Sequence, residues 1–229
     1  MDKPWPQLLI FEITDKCNRA KEHTRCPSGD ADRYGTLDTS RPLDDLIIFD
    51  CIEYAYAHGF IGSIGYHFYN EPLLAWPRTR LLITRIRDSF PDSKHILWTN
   101  GDAIHQPGQS GKIDPAELSV FNACWISNYA NTNWDFLRAH IQLVIDFFGN
   151  GHLCCRDWQG TVHIGNIFTD GFPAVVANQF RLRDVISQDP LPSSAPDICR
   201  SCTIRSGSLG IIDQEAAAQQ RRYITNRPT

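Results

Sequence analysis

Several places in the chain concentrate residues that could hold a metal. An apolar run, Leu8, Leu9, Ile10, Phe11 and Ile13, leads into a polar loop that carries Cys17 and His23 and ends Arg25-Cys26-Pro27. Soft ligands at the end of a buried strand suit a metal or an iron–sulfur site. His23 stands three residues before Cys26, the separation of a Cys-x2-Cys pair, and imidazole can replace thiolate on iron at a raised reduction potential. Far along the chain Cys154 and Cys155 are adjacent, and Cys199 and Cys202 form a Cys-x2-Cys pair. Such a pair closes a turn that points two thiolates at one metal, and further ligands from elsewhere complete four, for an iron–sulfur cluster or for tetrahedral zinc. Adjacent residues of an extended strand point to opposite faces, so only one of Cys154 and Cys155 is expected to ligate. His152 and His163 are candidates for the remaining place. Cys51 and Cys124 stand alone and read as small buried hydrophobes.

Positioning these groups requires alternating strands and helices. After the first strand and a loop rich in Asp, Gly and Ser over 28–41, residues 43–58 put Leu43, Leu46, Ile47, Ile52, Tyr54 and Ala55 roughly on one helical face, and Gly59 stops the helix. Residues 60–68 read as a second strand that runs into Tyr69-Asn70-Glu71-Pro72-Leu73-Leu74. Glu71, a carboxylate at a strand's C-terminal end, is well placed to bind an ammonium group, and His67 just before it is placed to face the same site. A second helix over 78–89 carries Leu81, Leu82 and Ile86 and ends before Pro91. A third strand over 95–98 closes on Thr99-Asn100-Gly101. A short helix over 114–118, a fourth strand over 120–126 and the start of a helix over 135–140 continue the alternation. The pattern changes by Phe147. Residues 149–167 carry close-set glycines, the paired cysteines and the alternating Thr161, Val162, His163 and Ile164, which suggest a hairpin of two short strands. A polar helix is expected over 213–222.

Three of these strand ends resemble those of radical S-adenosylmethionine (SAM) enzymes. The family's cluster loop, Cys-x3-Cys-x2-Cys directly after the first barrel strand, is matched by Asp15-Lys16-Cys17-Asn18 and Arg25-Cys26-Pro27, with extra residues between them and Gly29 at the place of the third cysteine. Asn70-Glu71-Pro72-Leu73-Leu74 resembles the Gly-Glu-Pro-Leu-Leu signature that holds the SAM amino group, and Thr99-Asn100-Gly101 resembles the third-strand motif near SAM and substrate. The segments Cys154-Cys155-Arg156-Asp157-Trp158-Gln159-Gly160, Gly165-Asn166-Ile167 and Pro196-Asp197-Ile198-Cys199-Arg200-Ser201-Cys202 are similar to the auxiliary-cluster domain called SPASM.

The resemblance implies an α/β fold: a partial (β/α) barrel of radical SAM type over 1–146, shortened to about four units, followed by a small cysteine-rich SPASM-like region over 147–229. It implies a [4Fe–4S] cluster held by Cys17 and Cys26, with His23 as a displaced third ligand, and SAM bound by Glu71, Asn70, Asn100 and Gly101. A second metal site, iron–sulfur or alternatively zinc, would use Cys154, Cys155, Cys199 and Cys202. The implied activity is cleavage of SAM to a 5′-deoxyadenosyl radical that abstracts hydrogen from a peptide or small-molecule substrate, fed by an electron donor such as flavodoxin or ferredoxin. The alternative is a catalytically inactive relative that serves as an iron–sulfur or zinc binding or regulatory protein.

Composition bounds the remaining classes. With 229 residues, of which 42% are hydrophobic and 21% charged, the chain can bury a sizeable core. A net charge of -4 and a pI near 6.0 give no electrostatic reason to expect nucleic acid or an anionic membrane as partner. The first residues lack a charged-then-apolar leader pattern, and no apolar run approaches the ~20 residues of a membrane span, so a cytoplasmic location is expected. Eight cysteines in a reducing compartment are then better read as metal ligands than as a disulfide framework.

Overall fold

Leu8–Phe11 form strand β1, and all four residues are buried, which is why the run is continuously apolar: a strand covered on both faces has no polar side to show. The computed structural model describes residues 5–20, 34, 37–104, 112–126, 142–153, 157, 159–188 and 190–201. Among these, β2 is Ser63–Gly65, β3 Lys94–Thr99, β4 Ala123–Ile126, β5 Gln142–Ile145 and β6 Gly151–His152. They make one sheet in the order β4-β3-β2-β1-β5-β6. The strands from β4 across to β5 are parallel to their neighbours, and β6 returns antiparallel to β5. Chain order thus runs outward from β1 to β4, then crosses to the other side of β1, where Leu9 lies opposite Leu143 and Ile10 opposite Val144. This is the α/β architecture of a partial barrel.

The helices cover one face of the sheet. In α1, Asp45–Ala57, the Asp44 carboxylate caps the first turn by accepting from the Ile47 N–H at 2.9 Å, and Gly59 at φ 88° ends it, as its place in the sequence predicts. α2 is Trp76–Ser89, with Pro77 in its first turn. α3 is Phe172–Ile186, and a single turn, α4, spans Asp197–Arg200. Leu9, Phe11, Ile64, Tyr66, Leu97, Leu143 and Ile145 of the sheet join Ile48, Ile52 and Ala55 of α1, Leu82, Ile83 and Ile86 of α2, and Val175, Val176 and Phe180 of α3 in one core. Leu8, Ile10, Ile96 and Val144 face the other way, in a separate inner cluster with Phe68, Trp98, Ala123 and Trp125. Arg78 ties α2 to the end of β1, donating to the Ile13 carbonyl at 2.6 Å, the Leu43 carbonyl at 2.7 Å and the Asp45 carboxylate at 2.6 Å.

Several expectations change in detail. Leu46 is 57% and Leu81 68% exposed. In α1 the buried stripe runs Ile48, Cys51, Ile52, Ala55, and at 100° per residue Leu46 falls off it; Leu81 and Leu82 are adjacent and only one can face the sheet. Cys51 is buried as expected, and burial pushes its thiol up. Cys124 is exposed instead, because β4 turns Ala123 and Trp125 to the inner face and Cys124 with Ile126 away from it. The short helix is a 3-10 helix over Pro115–Val120. β5 and α3 have no counterpart in the sequence reading. The expected helices over 135–140 and 213–222 lie outside the described residues. No helix among the described residues is long and apolar enough to cross a membrane.

The sheet also buries a polar chain: the imidazole of His95 meets the Tyr66 hydroxyl at 2.7 Å through Nδ1 and the Ser93 hydroxyl at 2.8 Å through Nε2. Burial, aided by the Arg87 charge, pushes His95 down to about 3. The unfolded chain takes up this proton near pH ~6.5, whereas the folded one resists it, so stability is lost as pH falls from there towards the folded value. The expected loss is about 1.4 kcal/mol per pH unit. Burial pushes His67 down to about 3 as well, so urea midpoints measured between pH 7 and pH 4 should show a slope steeper than this, and His95→Gln should lower it by about 1.4 kcal/mol per pH unit; identical slopes in wild type and variant would assign the acid sensitivity to other groups.

Candidate active site

The C-terminal ends of β1, β2 and β3 are joined by one hydrogen-bonded network. At its centre is Glu71, only 2% exposed, which stands at the start of the 3-10 turn Pro72–Ala75. Its Oε1 accepts from the Leu73 N–H at 3.1 Å and the Thr99 hydroxyl at 2.6 Å, and its Oε2 accepts from the Asn100 N–H at 2.7 Å. Its own N–H donates to the Lys16 carbonyl at 2.8 Å, next to Cys17. Burial pushes the Glu71 carboxyl up, against the pull of these donors.

The network continues into the loop after β1. The Asn100 side chain donates to Asn18 Oδ1 at 2.8 Å, and Asn18 in turn donates to Asp102 at 2.8 Å. Arg19 holds Asp102 with two bonds, of 2.6 and 2.5 Å, and this keeps the Asp102 carboxyl below the usual range. Gly101 has φ 81°, donates its N–H to the Thr99 hydroxyl at 3.0 Å, and has no room for a Cβ, which would lie 2.8 Å from Ile126 Cγ2. Asn70 does not join: its side chain accepts from the Phe68 N–H at 2.8 Å and donates to the Tyr66 carbonyl at 3.3 Å, bracing the turn before Glu71. Cys17 is half-buried, between Lys16 and Asn18, which both belong to this network. Cys26, His23 and Gly29 lie outside the described residues.

Sequence reasoning missed Glu12. It is fully buried two residues beyond Ile10, and its two oxygens accept from the Tyr69 N–H at 3.1 Å and the Phe147 N–H at 3.2 Å, so it pins the loops after β2 and β5 to β1. The one signal for it was an acid inside an otherwise apolar run.

A second polar centre organises the cysteine-rich region. Asp157 accepts from the Thr161 N–H at 2.8 Å and hydroxyl at 2.6 Å and from the Val162 N–H at 3.1 Å, folding the turn that Gly160, at φ 63°, completes against Leu37. Thr161 and His163 are exposed while Val162 and Ile164 are buried, the alternation read from the sequence. The expected hairpin is minimal: Asn150 bridges Asn166, and the Gly151 N–H donates to the Gly165 carbonyl at 2.8 Å. His152 is not available as a ligand, because Nδ1 meets the Asp157 carbonyl at 2.8 Å and Nε2 meets the Asp146 carboxylate at 2.9 Å. Burial opposes its protonation, yet Asp146 holds it above its ordinary value. His163 shares a cavity of about 360 Å³ with Pro196, Asp197 and Ile198, beside the helix turn that carries half-buried Cys199. Cys154, Cys155 and Cys202 lie outside the described residues, and no cluster of three or more ligand-type side chains forms among those described.

In its parallel sheet, its strand-end network and the turn around Asp157 the chain is similar to radical SAM proteins that carry a SPASM domain. A model of the SPASM iron–sulfur cluster-binding domain matches residues 138–203. The particular proteins it resembles can be named. Over 104 residues the chain is 29% identical to the S-adenosyl-L-methionine-dependent 2-deoxy-scyllo-inosamine dehydrogenase of Niallia circulans, a stretch that covers 45% of this chain and 38% of that one. The fold is similar to the crystal structure of BtrN in an open conformation, with a TM-score of 0.61 and 20% identity over 89% of this chain and 94% of that one. It is also similar to BtrN in complex with AdoMet and 2-DOIA, with a TM-score of 0.55 and 18% identity over 81% and 88%.

Proposed function

We propose that the protein is an iron–sulfur enzyme that uses SAM to abstract hydrogen from a small metabolite. The observation that carries this reading is the single network that ties the Cys17 loop, Glu71 and Asn100 together. When bound, a [4Fe–4S] cluster with SAM would supply one electron that cleaves SAM to methionine and a 5′-deoxyadenosyl radical, which takes a hydrogen atom from a substrate C–H bond and becomes 5′-deoxyadenosine.

The described residues fit the ammonium group of SAM. A carboxylate offers about four lone-pair positions, and the three protein donors to Glu71 leave one on Oε2 for an ammonium hydrogen. Such a cation would also favour the ionised carboxylate that burial alone disfavours. Asn100 positions Oε2 through its N–H and holds Asn18 through its side chain, so the ammonium site and the cysteine loop are fixed by one residue. The Arg19–Asp102 pair clamps the loop from its other side. Cys17 would be a cluster ligand with Cys26 and His23, and Cys199, Cys202 and one of Cys154 and Cys155 would hold an auxiliary cluster. An external flavodoxin or ferredoxin would deliver the electron.

A small metabolite is favoured over a peptide because the Niallia circulans relative is, by name, a dehydrogenase of 2-deoxy-scyllo-inosamine. Anaerobically reconstituted, reduced protein given SAM and ring-deuterated 2-deoxy-scyllo-inosamine should place deuterium in the 5′-deoxyadenosine formed. Unlabelled 5′-deoxyadenosine would remove this substrate. Gly29 at the third cysteine position favours a second reading, a binding protein that keeps the tail metal, iron–sulfur or zinc, without radical chemistry.

A further inference from the structure

On the inner face of the sheet, Ile10, Gly65, Ile96 and Val144 lie side by side in register. Side chains of a strand alternate, so two residues further on Glu12, His67, Trp98 and Asp146 stand on that same face, and Trp125 lies beside Trp98. The two indoles stack at 4.3 Å between centroids and 18° between planes, and the His67 ring leans on Trp98 at 4.2 Å. All three rings are only half-buried. His67 lies down on Gly65: a Cβ at Gly65 would be 3.1 Å from Cε1 and 3.3 Å from Nδ1 of the imidazole. Gly65 has no left-handed φ, so its missing side chain serves the space the ring occupies.

That position leaves Nδ1 buried and without a hydrogen-bond partner. An orphaned polar atom costs stability, and phenylalanine in the same place would pack without that cost. Burial pushes His67 down to about 3, so the ring is neutral across the physiological range. With Nδ1 shut against Gly65, the proton of the neutral ring is better placed on Nε2, where a ligand oxygen could accept it. Glu12 and Asp146, the acidic members of the same row, are engaged from within the fold: Glu12 accepts from two backbone N–H groups, and Asp146 accepts from the Asn150 N–H and meets His152. The row therefore offers a flat aromatic surface and a neutral donor.

We infer that Trp98, Trp125 and His67 form the subsite for a saturated, hydroxyl-bearing ring, whose C–H face lies on the indoles and one of whose oxygens accepts from His67. This rests on the SAM-dependent reading and names the substrate class it serves. His67 acts as a specificity residue, and Gly65 acts through it as a positioning residue.

The test is calorimetry on anaerobically reconstituted protein carrying S-adenosylhomocysteine, titrated with 2-deoxy-scyllo-inosamine, scyllo-inositol and the open-chain polyol xylitol. Wild type should bind the two rings and not xylitol. His67→Phe should weaken both rings about tenfold, leave S-adenosylhomocysteine affinity unchanged, and raise Tm by about 2–4 °C, since it removes the orphaned nitrogen. Trp98→Leu should weaken the rings similarly and serves if the first variant folds poorly. Ring affinity equal to wild type in both variants, absence of ring binding by wild type, or an equal loss of S-adenosylhomocysteine would each overturn the subsite. Failure of SAM cleavage alone would overturn the enzymatic reading and leave the ring titration to stand or fall by itself.

Discussion

Replacing Glu71 with Gln is expected to weaken SAM binding by about 10- to 100-fold, the effect of losing a hydrogen bond to a charged group of about 1.5–3 kcal/mol. The reason is specific to the donors around it. With the Gln carbonyl oxygen facing the Leu73 N–H and the Thr99 hydroxyl, the new amide N–H₂ meets the Asn100 N–H, donor against donor, at the place where the ammonium should also bind. Calorimetry with SAM on reconstituted protein measures this, with exposed Glu53→Gln on α1 as the comparison. Equal affinities for the two variants would take Glu71 out of the site.

Loss of the C-terminal thiolate pair should be as severe. β6 and the Asp157 turn hold their shape with a short ladder and a few hydrogen bonds while α3 packs into the main core, and a metal at Cys199 and Cys202 would add binding energy that counts directly as folding energy. The double variant Cys199→Ala, Cys202→Ala should lose one bound cluster or one zinc ion, and at least about 3 kcal/mol of local stability. Metal analysis together with hydrogen exchange of the amides of Gly151, Thr161 and Val162 reads both. Iron lost with part of the brown colour identifies an auxiliary cluster, and zinc lost with the colour unchanged identifies a closed structural site. Unchanged metal and unchanged exchange would contradict a metal site there.

How far the sequence reveals this design depends on how local each feature is. Glu71 and Thr99-Asn100-Gly101 are legible because each sits where a strand ends, and the structure puts them in contact. Val162 and Ile164 are legible because two-residue alternation is a property of a few neighbouring positions. The Arg19–Asp102 clamp joins residues 83 apart with no spacing to announce it. β5 is four buried residues, too few to show a period, and its place beyond β1 is a tertiary fact. His152 looks like a ligand in sequence and is a buried hydrogen-bonding post in the fold, because Asp146 and the Asp157 carbonyl reach both its nitrogens. His67, read as facing the site, does stand on the inner face, but the role of Gly65 in seating it needs the register of β2 to be seen.

The central claim is tested most directly by 5′-deoxyadenosine formation from SAM in anaerobically reconstituted, dithionite-reduced protein. Wild type should produce it, His23→Ala should produce less, and Cys17→Ala and Cys26→Ala should produce none. No product from wild type, with product gained in Gly29→Cys, would contradict the account and show that the third ligand position has been abandoned.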